Sequence, residues 1–233
     1  PRLLTSLEDR VALLRHFGAD EVVVLRFDES LARMDPARFA TEILSQALGA
    51  QHVVIGDNFR FGNKQAGTAA LLRDLGGALN FSVDVVPLAH WRGLPVSSSE
   101  IRRLLLAGNV ARAARLLGRP HALKGSIVHG RGVGSKQTVP TLNLAPVEEV
   151  VPANGVYVTR TYDAEHGIAY PSITNVGIRP TFEDGHPERS IETFLLGPLL
   201  AEPARIELQF LHWIRAERKF ENPELLRAQI LRD

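Results

Sequence analysis

No cysteine occurs in the 233 residues. That excludes disulfides and thiolate-held metals, and it agrees with a cytoplasmic protein. Neither sign of charge is in excess: 27 Lys and Arg face 26 Asp and Glu, so no strong global field draws the chain to nucleic acid or a membrane surface. The chain has no apolar run of transmembrane length, no signal-peptide pattern, no internal repeat and no low-complexity segment. It also lacks an initiating Met, since Pro1 leads straight into structured-looking sequence, as expected of a fragment. What is present is an ordinary globular composition, 45% apolar and 23% charged, long enough for one large domain or two smaller ones.

Residues 1–118 alternate helical and strand patterns. Ser6-Leu7-Glu8-Asp9 opens a helix with Leu7, Val11 and Leu14 on one face, and Gly18 ends it. "EVVVLRF" (21–27) is a β-branched run suited to a buried parallel strand. Asp35 is an N-cap with Pro36 at the first helical position, and that helix carries Phe39, Ile43 and Ala47 on one stripe before stopping at Gly49. "HVVIG" (52–56) and "FSVDVVPL" (81–88) predict strands, with a helix over 68–75 between them. "SSSEIRRLLLAGNVARAARLLG" (97–118) reads as two helices, the first capped by Ser97 with Glu100 at the third helical position, the second by Asn109. Such alternation predicts a parallel, doubly wound sheet.

After Gly118-Arg119-Pro120 the rhythm changes. "KGSIVHG", "GVYVTRTY", "IAYPSITNVG", "SIETFLLG" and "RIELQFLHWI" are short alternating strands parted by Gly, Pro and Asp turns, and Asn222-Pro223 starts a last helix. Short strands without intervening helices predict a small antiparallel barrel or sandwich. The expected boundary divides residues 1–118 from 119–233.

Three stretches of the second half carry candidate chemistry. In "GRGVGSKQTVPTLNLAP" (130–146), Gly130, Gly132 and Gly134 can turn backbone N–H groups toward an anion, and Arg131 and Lys136 add positive charge. Thr141 and Asn143 lie two apart and so share a strand face, where a hydroxyl and an amide oxygen can ligate a hard cation such as Mg²⁺. The plain alternative is a β-hairpin turn. In "SIETFLL", Glu192 shares a face with Phe194 and Leu196; a carboxylate there either has a partner or has a raised pKa that suits a general base, unless the strand is an edge and Glu192 lies in water. "TNVGIRPTF" (174–182) ends a strand at Asn175 and Gly177 and adds a rigid basic turn, which alone could be a structural corner. Anion donors, cation ligands and a carboxylate together are the parts of phosphoryl transfer to a hydroxyl.

A Gly-rich basic loop ending in Pro-Thr-x-Asn, then "PANGVY", "NVGIRPTF", the Glu of "IETFLL" and "RAERKF", in that order and spacing over 121–233, resembles bacterial riboflavin kinase. The resemblance implies a six-stranded antiparallel barrel with a C-terminal helix. It also implies that Thr141 and Asn143 hold Mg²⁺ and the ATP phosphates, and that Glu192 is the base activating the ribityl 5′-hydroxyl of riboflavin. Two departures stand out: Gln137-Thr138-Val139-Pro140 replaces the family's Leu-Gly-Phe-Pro-like approach, which stiffens the loop, and Leu142 replaces a small residue.

Bacterial riboflavin kinases are commonly fused to an FMN adenylyltransferase domain, and residues 1–118 resemble its later portion, an incomplete Rossmann-like nucleotidyltransferase domain. "VVIGDNFRFGNKQAG" (53–67) is similar to its flavin-side loop: Phe59 and Phe61 would flank a flavin ring, with polar contacts from Asn58 or Arg60. The alternative makes both rings hydrophobic plugs. "VSSSEIRRLL" resembles the domain's Ser-Ser-Thr-x-Ile-Arg motif, which places Ser98 and Ser99 at a helix N-terminus favourable to phosphate and makes Arg102 a neutraliser of phosphate charge. A capping box alone explains Ser97 and Glu100.

The domain's His-x-Gly-His signature does not occur; His16, His52, His90 and His129 are isolated. The resemblance therefore implies a bifunctional FAD synthetase with an operating kinase and no adenylyl transfer by this chain. Its implied substrates are riboflavin, ATP and FMN, with neither nucleic acid nor membrane as partner and the oligomeric state open. The rival readings are a monofunctional riboflavin kinase with a scaffold α/β domain, and a nucleic-acid-binding barrel.

Overall fold

A computed structural model describes residues 2–128, 141–179, 188–200, 203–218, 223–230 and 232–233. They form two compact units, one of residues Leu14–Pro95 and the other of Val96–Asp233 together with the residues up to Leu13.

The chain opens with α1 (Leu7–His16), whose first turn is capped by Ser6 Oγ accepting from the Asp9 N–H at 3.1 Å. Gly18, at φ 98°, follows its end. Leu7 and Leu14, expected on one face of this helix, are both exposed.

In the 14–95 unit, α2 (Glu29–Ala32) precedes α3 (Pro36–Arg38), which Asp35 caps as expected and which continues as a π-helix over Phe39–Ala47. Strand β1 (His52–Gly56) pairs in parallel with β2 (Ser82–Val86), and α4 (Ala69–Leu79) links them. Ala40, Ile55, Phe61, Leu72 and Phe81 form the buried core. Gly76 of α4 lets the helix reach it, because a Cβ there would lie 2.6 Å from the Phe81 carbonyl oxygen. A two-residue-per-strand hairpin, β3 (His90–Trp91) and β4 (Leu94–Pro95), closes the unit.

Residues 21–27 form no strand. Val23 and Val24 are 57% and 55% exposed and Phe27 is 79% exposed. The run has the right propensity, but a strand exists only through its ladder, and among the described residues β1 and β2 pair only with each other.

In the other unit, α5 (Ser98–Leu106) and α6 (Val110–Leu117) come first, and α6 packs on strands β5 (His121–Val128) and β10 (Arg205–Arg215). By packing, the two helices before residue 118 thus go with the barrel. With β6 (Thr141–Leu144), β7 (Gly155–Asp163), β8 (Ile168–Arg179) and β9 (Glu188–Leu195), these strands close an antiparallel barrel in the order β10-β5-β6-β9-β8-β7. The expected six-stranded barrel and trailing helix, α7 (Pro223–Ile230), are both present.

Alternation sends Leu123, Leu142, Leu144, Tyr157, Leu195, Leu208 and Phe210 into the buried set. Between them lies a cluster of buried hydroxyls. Thr159 Oγ1 is 2.8 Å from both Ser172 Oγ and Thr174 Oγ1, Thr161 Oγ1 is 2.9 Å from Ser172 Oγ, and Thr174 Oγ1 donates to Thr193 Oγ1 at 2.9 Å. Hydroxyls both donate and accept, so such a group satisfies itself without water.

His121 is fully buried at the start of β5. Its Nε2 lies 2.7 Å from the Val150 carbonyl, which can only accept, so this nitrogen carries the proton. Burial pushes its pKa down to about 4, against the pull of that hydrogen bond and helped by the charge of Arg119. Gly155 has φ 153°, and a Cβ there would lie 2.6 Å from Trp213 Nε1, so "PANGVY" needs its glycine for a close approach. At the far end Asp233 ties the α7 region to β10 through Arg215 Nη2 at 2.6 Å and Nε at 3.0 Å. Burial pushes the Asp233 carboxyl up, but its hydrogen bonds from Arg215 and Gln229 hold it below the usual range.

Candidate active site

Strand β6 alternates exposed and buried side chains along Thr141, Leu142, Asn143 and Leu144, so Thr141 and Asn143 share the outer face while both leucines enter the barrel. The register places Asn143 opposite Glu192 and Thr141 opposite Phe194. On its other side Glu192 stands opposite Asn175 of β8. Directly opposed residues share a face with Cβ atoms about 5 Å apart. Asn143, Glu192 and Asn175 therefore form one half-buried row across three strands, with Thr141 one step along. Glu192 is not the fully solvated carboxylate of an edge strand, because β9 is flanked by β6 and β8.

The row has further neighbours that sequence reasoning did not assign. Asn175 Nδ2 donates to Glu217 Oε1 at 3.2 Å. Two residues on, Gly177 leaves room for that carboxylate, since a Cβ there would lie 2.5 Å from Glu217 Oε1. A glycine inside a strand pattern is the signal that could have pointed to this close approach. At the start of β9, Arg189 Nη1 donates to the Val151 carbonyl at 2.8 Å and holds the segment before Gly155.

Gly130, Arg131, Gly132, Gly134, Lys136, Thr138, Pro140, Pro180 and Thr181 lie outside the described residues. Thr141 and Asn143 put a hydroxyl and an amide oxygen on one face, a donor set of the hard kind that Mg²⁺ takes.

The loop read as flavin-side from the sequence follows β1 as expected. Its four expected residues differ in placement. Asn58 and Arg60 are exposed, and Arg60 Nη1 donates to the Phe59 carbonyl at 3.1 Å. Phe61 is 6% exposed and belongs to the core of its unit, with Phe59 stacked on it at 5.6 Å and Phe39 at 5.7 Å. The ring of Phe61 thus serves the packing alternative.

Ser98 and Ser99 are exposed at the start of α5, and Ser97 Oγ accepts from the Glu100 N–H at 3.2 Å. Arg103 pairs with Glu100 at 2.6 Å, so one of the two adjacent arginines is taken up within the helix. Arg102 Nε donates to the Arg2 carbonyl at 2.9 Å and lines a cavity of about 310 Å³ with Arg2, Leu106, Val150, Val151 and Arg189. Ser98, Ser99 and Arg102 lie in the barrel's unit and Asn58–Phe61 in the other.

Among the described residues no helix is long and apolar enough to cross a membrane. Comparison with known proteins gives two family matches: riboflavin kinase over residues 117–233 and FAD synthetase over residues 1–100. Among similar curated proteins, one from Pseudomonas fluorescens is 33% identical over 219 residues, covering 93% of this chain and 69% of its own. One from Escherichia coli K12 is 31% identical over 234 residues, 100% of this chain and 74% of its own. One from Buchnera aphidicola (Schizaphis graminum) is 30% identical over 235 residues, 100% of this chain and 75% of its own. Each is named bifunctional riboflavin kinase/FMN adenylyltransferase. A solved structure from Streptococcus pneumoniae, titled a macrolide-efflux protein, superposes with TM-score 0.86 at 28% identity, covering 99% of this chain and 73% of that one. With both halves matched in order and relatives aligned along its full length, the chain belongs to the bacterial bifunctional riboflavin kinase/FMN adenylyltransferase family.

Proposed function

We propose that the outer row on β6, β9 and β8 is where this riboflavin kinase passes the γ-phosphate of ATP to the riboflavin 5′-hydroxyl, giving FMN and ADP. The register that sets Asn143 opposite Glu192 carries the reading, because it puts a cation ligand beside a candidate base. Thr141 and Asn143 would hold Mg²⁺ with the ATP phosphates through their side-chain oxygens. The ion, when bound, neutralises charge on the transferring phosphate. Glu192 takes the proton from the 5′-hydroxyl, the freed oxygen forms the new bond to the γ-phosphorus, and the bond to ADP breaks. Positioning supplies most of the rate, and the base adds about 10²–10⁴-fold.

Residues 119–233 carry this chemistry. Residues 1–118 are assigned to the FMN adenylyltransferase side, with Asn58, Phe59 and Arg60 toward flavin and Ser98, Ser99 and Arg102 toward phosphate. The substrates are riboflavin, ATP and FMN, and the setting is cytoplasmic.

The test is Glu192→Gln, assayed for FMN by chromatography with fluorescence detection in riboflavin, ATP and Mg²⁺. Turnover falls about 10²–10⁴-fold while ATP binding is kept. Wild-type turnover by the variant would remove Glu192 as the base.

A further inference from the structure

Asn175 faces Glu192 across the β8–β9 ladder, and its amide is oriented by a second carboxylate. Glu217 Oε1 accepts from Asn175 Nδ2 at 3.2 Å, in the space that Gly177 leaves open. A carboxylate can only accept, so the NH₂ end of the amide must point to Glu217 and the carbonyl end elsewhere. That carbonyl oxygen, Asn175 Oδ1, is buried, and no donor reaches it among the described residues. A buried acceptor without a donor is unfavourable, and such an atom on the strand beside a candidate base marks a place where a ligand can supply the missing hydrogen bond.

The chemistry of that ligand follows from the surroundings. A carbonyl oxygen with Glu192 on the neighbouring strand and Glu217 on its own amide is a cluster of acceptors. The Asn175 carbonyl oxygen can only accept, so it offers a phosphate oxygen no hydrogen bond, whereas a hydroxyl can donate one to it. We propose that Asn175 Oδ1 accepts a hydrogen bond from a hydroxyl of the polyol side chain of the flavin substrate. Glu217 acts as the positioning residue that keeps the amide from turning over. The proposal rests on the Asn143–Glu192 row being the kinase site, and it adds the group that reads the acceptor alcohol.

The experiment compares riboflavin with lumiflavin, which has the same ring system and no polyol. Dissociation constants are read from flavin fluorescence quenching with ADP and Mg²⁺ present. Asn175→Ala weakens riboflavin about tenfold or more and leaves lumiflavin within about twofold, the loss of one hydrogen bond to a buried acceptor. Unchanged lumiflavin binding also shows that the variant is folded. Glu217→Leu frees the amide and weakens riboflavin about threefold to tenfold, while Glu217→Gln, whose carbonyl still accepts, stays near wild type. Equal loss for both flavins, or no loss for riboflavin, overturns the proposal. So does a change confined to the Mg²⁺ concentration required, which would make a metal-bound water the donor. Full turnover by Glu192→Gln beside weakened riboflavin binding by Asn175→Ala would remove the base assignment and leave the hydroxyl contact standing.

Discussion

In the barrel every strand is hydrogen-bonded on both sides, whereas among the described residues the 14–95 unit builds its parallel sheet from β1 and β2 alone. The difference shows in what becomes of apolar sequence. Strands β7, β9 and β10 bury their alternate residues almost completely, while the apolar run at 21–27 and Val54 and Val86 of the short sheet remain exposed. β-branched composition does not make a strand; a neighbouring edge does, and closure supplies one to every barrel strand.

The largest effect expected from this contrast is in the barrel core. Phe210 is fully buried and meets Tyr157 edge-on at 5.3 Å. Phe210→Ala is expected to cost about 3–5 kcal/mol in urea denaturation. The two tryptophans separate the units, since Trp213 lies on β10 and Trp91 in the 14–95 unit. Followed through Trp213 in a Trp91→Phe background, the transition should move; one that stays put would break the picture of a closed, cooperative barrel.

Acid comes next. The folded pKa of His121 is pushed down to about 4, below its unfolded value, so between about 6.5 and 4 the unfolded chain binds a proton that the folded one refuses. Stability is therefore lost as pH falls through that window, by roughly 3 kcal/mol at its lower end. His121→Gln should flatten the slope between pH 7.5 and pH 5, and an unchanged slope would place the titration elsewhere.

Thr193→Val tests the hydroxyl cluster. It leaves Thr174 without its acceptor inside the barrel, and about 1–3 kcal/mol of stability should go with it. Thr193→Ser should restore most of the loss. The smallest effect belongs to the exposed run: Val24→Thr should change stability by no more than about 0.5 kcal/mol. A cost above about 2 kcal/mol would show that residues 21–27 are buried in solution, and the contrast between the two regions would weaken.

What could be read from the sequence divides along the same line. Period-two alternation in "GVYVTRTY" and "RIELQFLHWI" reports burial on one side, and a barrel buries one side of every strand, so the pattern matched the fold. The spacing of Thr141 and Asn143 likewise fixed their common face. The opposition of Asn143 and Glu192, 49 positions apart by their numbers, depends on strand order and register, which one chain of letters does not contain. The contact of Asn175 with Glu217 spans 42 positions and comes from the meeting of β8 with the segment after β10. Residues 21–27 misled because propensity is local and ladder partners are not. Leu7 and Leu14 misled for a related reason: an apolar stripe shows what a helix can bury, and only the neighbouring elements decide whether it does.

The hydroxyls inside the barrel have a consequence for strand alignment. Sliding β9 along β8 by two residues would keep every side chain on its present face, so hydrophobic alternation tolerates the slip. The hydroxyls do not. Thr174 now faces Thr193; after such a slip it would face Ile191 or Leu195, and the Thr174–Thr193 hydrogen bond would be lost with no hydroxyl on β9 to replace it. The same slip would carry Glu192 away from Asn175. The interior cluster thus acts as a key cut for a single alignment, and a threonine buried inside the barrel helps to determine which residues stand side by side on its outer face.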